Sequence, residues 1–216
     1  MSGDPASRAQ RVIYALAFLA AMGAAGSLPA LGSDQPRQPV PRLSQADIGR
    51  IDRLLELIQK RLERAPALAE ERWKAMSRIE DAASENRLLE AARSRAAVLK
   101  LDPDLAARFA QAQVDAAKII QAERHKQWAA TPSAAPSRGK VPDPLAATTA
   151  EPELDTPLLS AWRDALPVLR KPDARAVVDA RAADRIHVGG TDLLAAQVAL
   201  KPLYEIANPT PNGRQK

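Results

Sequence analysis

Apolar side chains recur every three or four residues between positions 48 and 62, and this spacing constrains the fold more than any other feature. They are Ile48, Ile51, Leu54, Leu55, Ile58 and Leu62. Side chains three and four apart share one face of an α-helix, so the pattern predicts an amphipathic helix with a buried face. Ser44, with Asp47 three positions later, can cap its start. Pro66 is expected to kink or interrupt the helix near Ala65. The apolar pattern continues beyond the proline at Leu68, Ala69, Trp73 and Met76.

The helical pattern returns along most of the chain. A second helical stretch covers about residues 82 to 100. Asp102 followed by Pro103 predicts a new helix start, because Asp is a favoured N-cap and Pro fits the first helical position. That helix is expected to reach about Trp128. Only 3% of the residues are aromatic, and Ala and Leu, which favour helices, are abundant. We therefore predict an all-α fold, with shorter C-terminal helices at about 158 to 170, 173 to 185 and 191 to 206.

The N-terminus has the pattern of an export signal. Arg8 and Arg11 precede an apolar run of 15 residues, 12 to 26, which small residues follow. A basic region, a short apolar core and small residues are typical of a secretory leader. The run is shorter than the ~20 residues that span a bilayer comfortably. We predict a signal peptide over residues 1 to 32, cleaved between 25 and 32, and a periplasmic or secreted protein with no stable membrane partner. An uncleaved membrane anchor is the alternative.

Proline-rich segments divide the rest of the chain. Residues 33 to 43 form a lead-in that is expected to be irregular. A helical core is predicted over 44 to 130. Residues 131 to 157 contain six prolines and many small residues, which predicts a linker or a long surface loop. Residues 158 to 216 form a C-terminal helical region that completes the domain or packs against a second subunit.

Composition excludes several kinds of site. The chain has no cysteine, which excludes thiol catalysis and cysteine metal sites, and its two histidines, His125 and His187, lie far apart. No phosphate-binding glycine loop or nucleophile motif is present, so we expect neither a metal nor a cofactor. The formal charge of +5 falls to +4 without residues 1 to 32. Both signs are interspersed without a basic run, which argues against nucleic-acid binding.

Charged residues in the helical core could bind a small charged ligand. Arg61 and Arg72 are 11 positions apart, about 20° beyond three helical turns, so they share a stripe if Pro66 only bends the helix. Burying two arginines is costly unless an anion meets them. Asp81 and Glu85 also share a face. Periodicity alone leaves open the alternative that each of these side chains is simply solvated.

The segments LLELIQKRL, ERWKAMSRIED, LDPDLAARFAQAQVDAAKIIQ and HKQW occur in this order between Leu54 and Trp128. In sequence and spacing they resemble the secreted, all-helical chorismate mutases of the periplasmic class. The region from LLSAWRDALPVLRKPDARAVVDA onward is similar to the additional C-terminal helices of that class. The most specific match is a basic residue and Trp followed by Ile-Glu-Asp, together with Leu-Asp-Pro.

The resemblance implies a function and a set of site residues. The family is an isomerase that rearranges chorismate to prephenate, a step of the shikimate pathway and aromatic amino acid biosynthesis, without a cofactor. By match to the family pattern, Arg61 and Arg72 bind the substrate carboxylates. Gln121 donates to the ether oxygen whose bond breaks, and Asp81 and Glu85 help to hold the ring hydroxyl. The resemblance also favours a homodimer.

Two positions depart from the family pattern. Ser84 stands where the family has an arginine, and Ala117, on the predicted face of Gln121, replaces a polar residue. Arg87 lies one turn beyond Ser84. These departures support an alternative hypothesis, in which the chain is a non-catalytic periplasmic binding or interaction protein that retains the fold.

Overall fold

The computed structural model describes residues 43 to 137, 152 to 187 and 193 to 207. These residues form six α-helices and one short 3-10 turn, Pro132–Ala134, and contain no β-strand. The predicted all-α fold is confirmed. The signal peptide, most of the lead-in and residues 138 to 151 of the predicted linker lie outside the described residues. The helices are α1 (Gln45–Ala75), α2 (Ala82–Val98), α3 (Pro103–Ala130), α4 (Pro152–Leu169), α5 (Ala174–Arg185) and α6 (Leu193–Ala207).

Helix α1 begins where the sequence predicts, but it does not end at Pro66. Ser44 forms a reciprocal capping box with Asp47, as its spacing predicts. The helix then continues without interruption past Pro66 to Ala75. Pro66 removes one backbone N–H from the helix, but buried residues on both sides, Ala65 and Ala69, keep it packed on the core.

Met76 ends α1, which the apolar pattern did not predict. It has φ 52°, in the left-handed region, and its N–H bonds back to Arg72 and Trp73. This conformation closes the last helical turn. Its side chain is 76% exposed, so the apolar face of α1 ends before this residue. The expectation that Met76 continues the buried stripe is wrong.

The starts of α2 and α3 use aspartate caps. Asp81 accepts the backbone N–H of Ser84, and Asp102 accepts that of Leu105 at 2.7 Å. Pro103 occupies the first turn of α3, which confirms the helix start predicted from Asp-Pro. Because Asp81 is the cap, it precedes the helix on which it was expected to share a face with Glu85.

The helices share one hydrophobic core. Helix α1 packs against α3, α4 and α5, while α3 also packs against α2 and α6. At the centre, the rings of Phe109 and Trp162 stack with centroids 4.5 Å apart. Truncating a buried ring of this kind typically costs about 3–5 kcal/mol. Most other positions in the core carry Ala or Leu, and the small alanines allow the helices to approach closely.

The C-terminal helices complete this same core within one chain. Leu159, Val178 and Leu203, from α4, α5 and α6, belong to the cluster that contains Ile58 and Phe109. Helix α4 begins at Pro152, six residues before the predicted position of about 158. Pro157 lies inside α4, in a segment where the sequence suggested a linker. No helix in the described ranges is both long and apolar enough to cross a membrane.

An ion pair connects the start of α1 to the turn before α5. Lys171 donates to Asp47 at 2.6 Å, and the Asp47 side chain is buried while that of Lys171 is partly exposed. The hydrogen bonds from Lys171 and Ser44 lower the pKa of the Asp47 carboxyl to about 2. A carboxyl whose folded pKa lies below its unfolded value stabilises the fold above the unfolded pKa, and this stabilisation is lost as pH falls through the folded pKa.

We therefore expect Asp47→Asn to lower the melting temperature near neutral pH and to lose this effect as the pH falls from about 4 to about 2. Thermal unfolding followed by circular dichroism across that range measures the difference. Lys171→Met should reproduce the same pH dependence. An equal loss of stability at both ends of the range would contradict the ion pair's role.

Candidate functional site

Two of the predicted site residues are among the few buried polar side chains. Arg61 on α1 is 8% exposed and Gln121 on α3 is 2% exposed. Each is carried on an otherwise apolar helix face, and these two helices pack against each other. Burial of a guanidinium and an amide costs free energy unless partners or a ligand satisfy them. Arg61 also lines a cavity of about 10 Å³ between α1, α2, α3 and α4.

The amide of Gln121 has an unsatisfied end. Its Oε1 atom is buried and forms no hydrogen bond within the described part of the chain. Because a 180° flip exchanges the oxygen and the nitrogen of an amide, either end of the Gln121 side chain can occupy this unpaired position. A buried amide in this state can bind a ligand through either a donor or an acceptor.

Arg72, at the end of α1, binds the turn that leads to α2. Its Nη1 donates to the carbonyl oxygens of Ile79 and, at 3.3 Å, Arg78. The side chain is half-buried. A guanidinium has five N–H donors, so these two bonds to neutral carbonyl oxygens leave donors for an anion. The predicted stripe of Arg61 and Arg72 thus places one arginine in the core and the other at its edge.

Asp81 begins a short polar chain on the surface at the start of α2. Its carboxylate accepts the Ser84 hydroxyl at 2.6 Å and the Ser84 N–H at 3.0 Å. Arg87 in turn donates to the Ser84 hydroxyl at 2.7 Å. The Ser84 hydrogen bonds, with a smaller contribution from the charge of Arg87, lower the pKa of Asp81. Arg87 therefore places a cation beside Ser84 at the start of α2.

Glu85 forms an ion pair with Lys118, a residue that was not among the predicted site residues. Lys118 on α3 donates to both Glu85 carboxylate oxygens, at 3.1 and 3.2 Å, and lies 3.6 Å from Asp115. Burial lowers the pKa of Lys118, but the hydrogen bonds and charges of Glu85 and Asp115 together outweigh it and raise the pKa overall. The pair joins α2 to α3 with both side chains largely covered. A single charged residue on a helix gives no signal of a partner 33 positions away.

An aromatic cluster secures the far ends of α1 and α3. Trp73 contacts His125 and Trp128, with ring centroids 5.3 and 5.6 Å apart. Nε2 of His125 lies 2.8 Å from the carbonyl oxygen of Ala69, so it carries the proton of this hydrogen bond. The cluster adjoins Arg72 in sequence and lies one turn after Gln121. The three rings contact one another and hold the ends of the two helices together.

Neither the surroundings of Ala117 nor a groove between α3 and α6 brings the predicted site residues together. Ala117 is half-buried and packs against the hydrophobic core. An open groove of about 680 Å³ between α3 and α6 is large enough for a small ligand, but it contains none of the five predicted site residues. No group of three or more potential metal ligands occurs in the ranges that the structure describes.

Comparison with known proteins identifies the relationship. No family model matches the chain. The secreted chorismate mutase of Mycobacterium tuberculosis (strain ATCC 25618 / H37Rv) is 28% identical over 155 residues, which cover 71% of this chain and 77% of that protein. The chain is therefore similar in sequence to a secreted chorismate mutase. The predicted resemblance to the secreted chorismate mutases is thereby confirmed.

Solved structures agree with this relationship at the level of the fold. The chorismate mutase from Burkholderia thailandensis superposes with a TM-score of 0.63 at 24% identity, covering 71% of this chain and 98% of that one. The chorismate mutase from Burkholderia phymatum has a TM-score of 0.61 at 18% identity, covering 73% and 98%. The helical bundle is thus the chorismate mutase fold.

Proposed function

We propose that the protein is an exported chorismate mutase that converts chorismate to prephenate. The observation that carries the proposal is the pair of buried polar residues, Arg61 and Gln121, on two packed helices of a chain related to the secreted chorismate mutases. A core made mainly of Ala and Leu has no packing requirement for a guanidinium or an amide at these positions. Both are groups that the rearrangement can use.

The reaction needs positioning and charge stabilisation, with no acid, base or cofactor. Chorismate is a dicarboxylate whose enolpyruvyl arm must fold over the ring before the bonds rearrange. Arg61 and Arg72 bind the two carboxylates and hold the folded conformer. The transition state places negative charge on the breaking ether oxygen, to which the Gln121 amide donates. Arg72 can act while it retains its bonds to Arg78 and Ile79, because further N–H donors remain.

The carboxylates of Asp81 and Glu85 have the remaining predicted role, contact with the ring hydroxyl. Asp81 is already fixed by Ser84, and Glu85 by Lys118. A carboxylate has about four lone-pair sites, so each can accept a further hydroxyl hydrogen bond. The polar chain at the start of α2 would then orient the ring while the arginines hold the carboxylates.

Loss of chorismate absorbance on addition of purified protein tests this function. We expect a rate proportional to protein concentration, without added metal or cofactor. Prephenate must appear in the same amount as the chorismate lost. No increase over the spontaneous rearrangement would reject the proposal.

Ser84→Arg tests the departure from the family pattern at the start of α2. An arginine here would add a cation beside the substrate carboxylates, and a charge-assisted hydrogen bond of about 1.5–3 kcal/mol corresponds to a roughly 10- to 100-fold increase in kcat/KM. Ala83→Arg is the control, because position 83 points about 100° away around the helix. Arg87 donates to the Ser84 hydroxyl and can itself supply a cation near the substrate carboxylates. In that case Ser84→Arg does not increase kcat/KM, whereas Arg87→Ala lowers it.

A second candidate function is non-catalytic binding by the same fold. It is favoured by Ser84 and Ala117, and by the cavity of only about 10 Å³ beside Arg61. Isothermal titration with chorismate separates the two functions. Binding without prephenate formation supports a binding protein, whereas binding with turnover supports the mutase.

Export is the remaining part of the proposal, and it is supported by the apolar run at residues 12 to 26 and by the secreted relative. We expect mass spectrometry of protein recovered from an exporting host to find a new N-terminus between residues 26 and 33. An intact N-terminus in the membrane fraction would instead indicate an uncleaved anchor. Sedimentation of the same sample measures whether the mature chain is the homodimer that the family resemblance favours.

A further inference from the structure

Gln113 is a buried polar residue on α3 to which the proposed mechanism gives no role. It is 1% exposed. Its Nε2 donates to the backbone carbonyl oxygen of Ala199 on α6 at 2.9 Å. Its Oε1 is buried and accepts no hydrogen bond from the described residues. An amide with one end bonded and the other unsatisfied is unfavourable in a core, so the unused acceptor requires an explanation.

The residues around the Gln113 amide explain its unused acceptor. Gln113 and Arg61 line the same cavity of about 10 Å³. A cavity needs roughly 10–15 Å³, and two or more polar partners, to hold one water molecule. Gln113 offers an acceptor and Arg61 offers N–H donors. The other residues lining the cavity are apolar: Leu88, Ala92, Phe109, Ala110, Leu158 and Leu159.

We propose that Gln113 is a positioning residue that orients the Arg61 guanidinium through one bridging water. The bond from Nε2 to Ala199 fixes which way the amide faces, because the carbonyl of Ala199 can only accept. Oε1 is thereby left for the cavity. Helix α6 thus helps to set the geometry of an arginine on α1 through α3, which gives the C-terminal region a part in the site. The consequence for catalysis rests on the proposed function of Arg61, but the positioning itself does not.

Two substitutions at Gln113 separate positioning from packing. Gln113→Leu removes the acceptor and fills a similar volume. Gln113→Glu, in the protonated form that burial favours, keeps an acceptor for the cavity and an O–H donor for the carbonyl of Ala199. We expect Gln113→Leu to raise KM for chorismate about 10-fold, because a small displacement of a binding group weakens its contact. Gln113→Glu should stay within about threefold of the parent. Val114→Ala, at the adjacent buried position outside the cavity lining, is the control and should lower the melting temperature without changing KM.

Measurements that need no turnover test the positioning directly. In a high-resolution crystal structure of the parent, we expect a water within hydrogen-bond distance of both Gln113 Oε1 and an Arg61 nitrogen. NMR relaxation of the Arg61 Nε–H group should show the same side-chain order in the parent and in Gln113→Glu, and a lower order in Gln113→Leu. No bridging water, or equal Arg61 order in all three proteins, would overturn the proposal even if the chain is an active mutase. If the parent has no mutase activity, the same two readouts still decide it.

Discussion

Arg61→Ala is expected to lower kcat/KM for chorismate by about 100-fold or more while leaving the helix content unchanged. Arg61 is only 8% exposed, so water and salt screen its attraction to a carboxylate weakly. Its removal therefore costs more than the loss of a surface ion pair. Steady-state kinetics and circular dichroism on the same preparation measure the two quantities.

Arg53→Ala is the matched control on the same helix. Arg53 is exposed and pairs with Glu56 at 3.0 Å, a contact that typically contributes about 1 kcal/mol or less. Its loss should leave kcat/KM within about twofold of the parent. Arg72→Ala should also reduce turnover sharply, since Arg72 is the second proposed carboxylate ligand. If Arg61→Ala remains within a few-fold of the parent, Arg61 is not a substrate ligand.

Gln121→Leu is expected to reduce kcat by about 100- to 1000-fold, the usual effect of deleting one preorganised donor to a developing oxyanion. Leucine suits the buried position, so the fold should persist and KM should change little. An unaltered kcat would mean that another group donates to the ether oxygen.

Gln121→Glu converts the same position into a pH-dependent one. An amide donates its N–H at any pH, whereas a carboxyl group must be protonated to donate. The parent should keep a nearly constant rate from about pH 5 to 8, because arginine and glutamine do not change charge there. The variant should lose activity as pH rises, by about tenfold per unit above the pKa of the new carboxyl, which burial raises. A parent rate that itself falls steeply across this range would contradict an amide donor.

The helices could be predicted because their determinants are local. The stripe from Ile48 to Leu62, the capping box at Ser44 and the Asp102-Pro103 start each depend on residues within one or two turns. Pro66 shows the limit of this reasoning. Its local preference is to end a helix, but the packing of Ala65 and Ala69 on the core maintains α1 through it.

Only those candidate site residues could be predicted that helical periodicity and the family resemblance both single out. Arg61 and Gln121 were identified in this way, and both lie in the core. The interactions around the site connect residues far apart in sequence, such as Glu85 with Lys118 and Gln113 with the carbonyl of Ala199. No helical period relates such pairs, so they emerge only when the helices are packed. Asp81 lies directly before the helix start predicted at about residue 82, where it acts as the cap, whereas helical periodicity grouped it on one face with Glu85.

Conversion of chorismate to prephenate by the purified mature chain, compared with Gln121→Leu, tests the proposed function most directly. Absorbance follows the loss of substrate, and proton NMR identifies the product in the same sample. We expect the parent to form one prephenate per chorismate consumed, at a rate proportional to protein concentration and far above the spontaneous reaction, and Gln121→Leu to lose nearly all of that rate. A parent that binds chorismate without forming prephenate, or a Gln121→Leu variant as active as the parent, would contradict the proposed site.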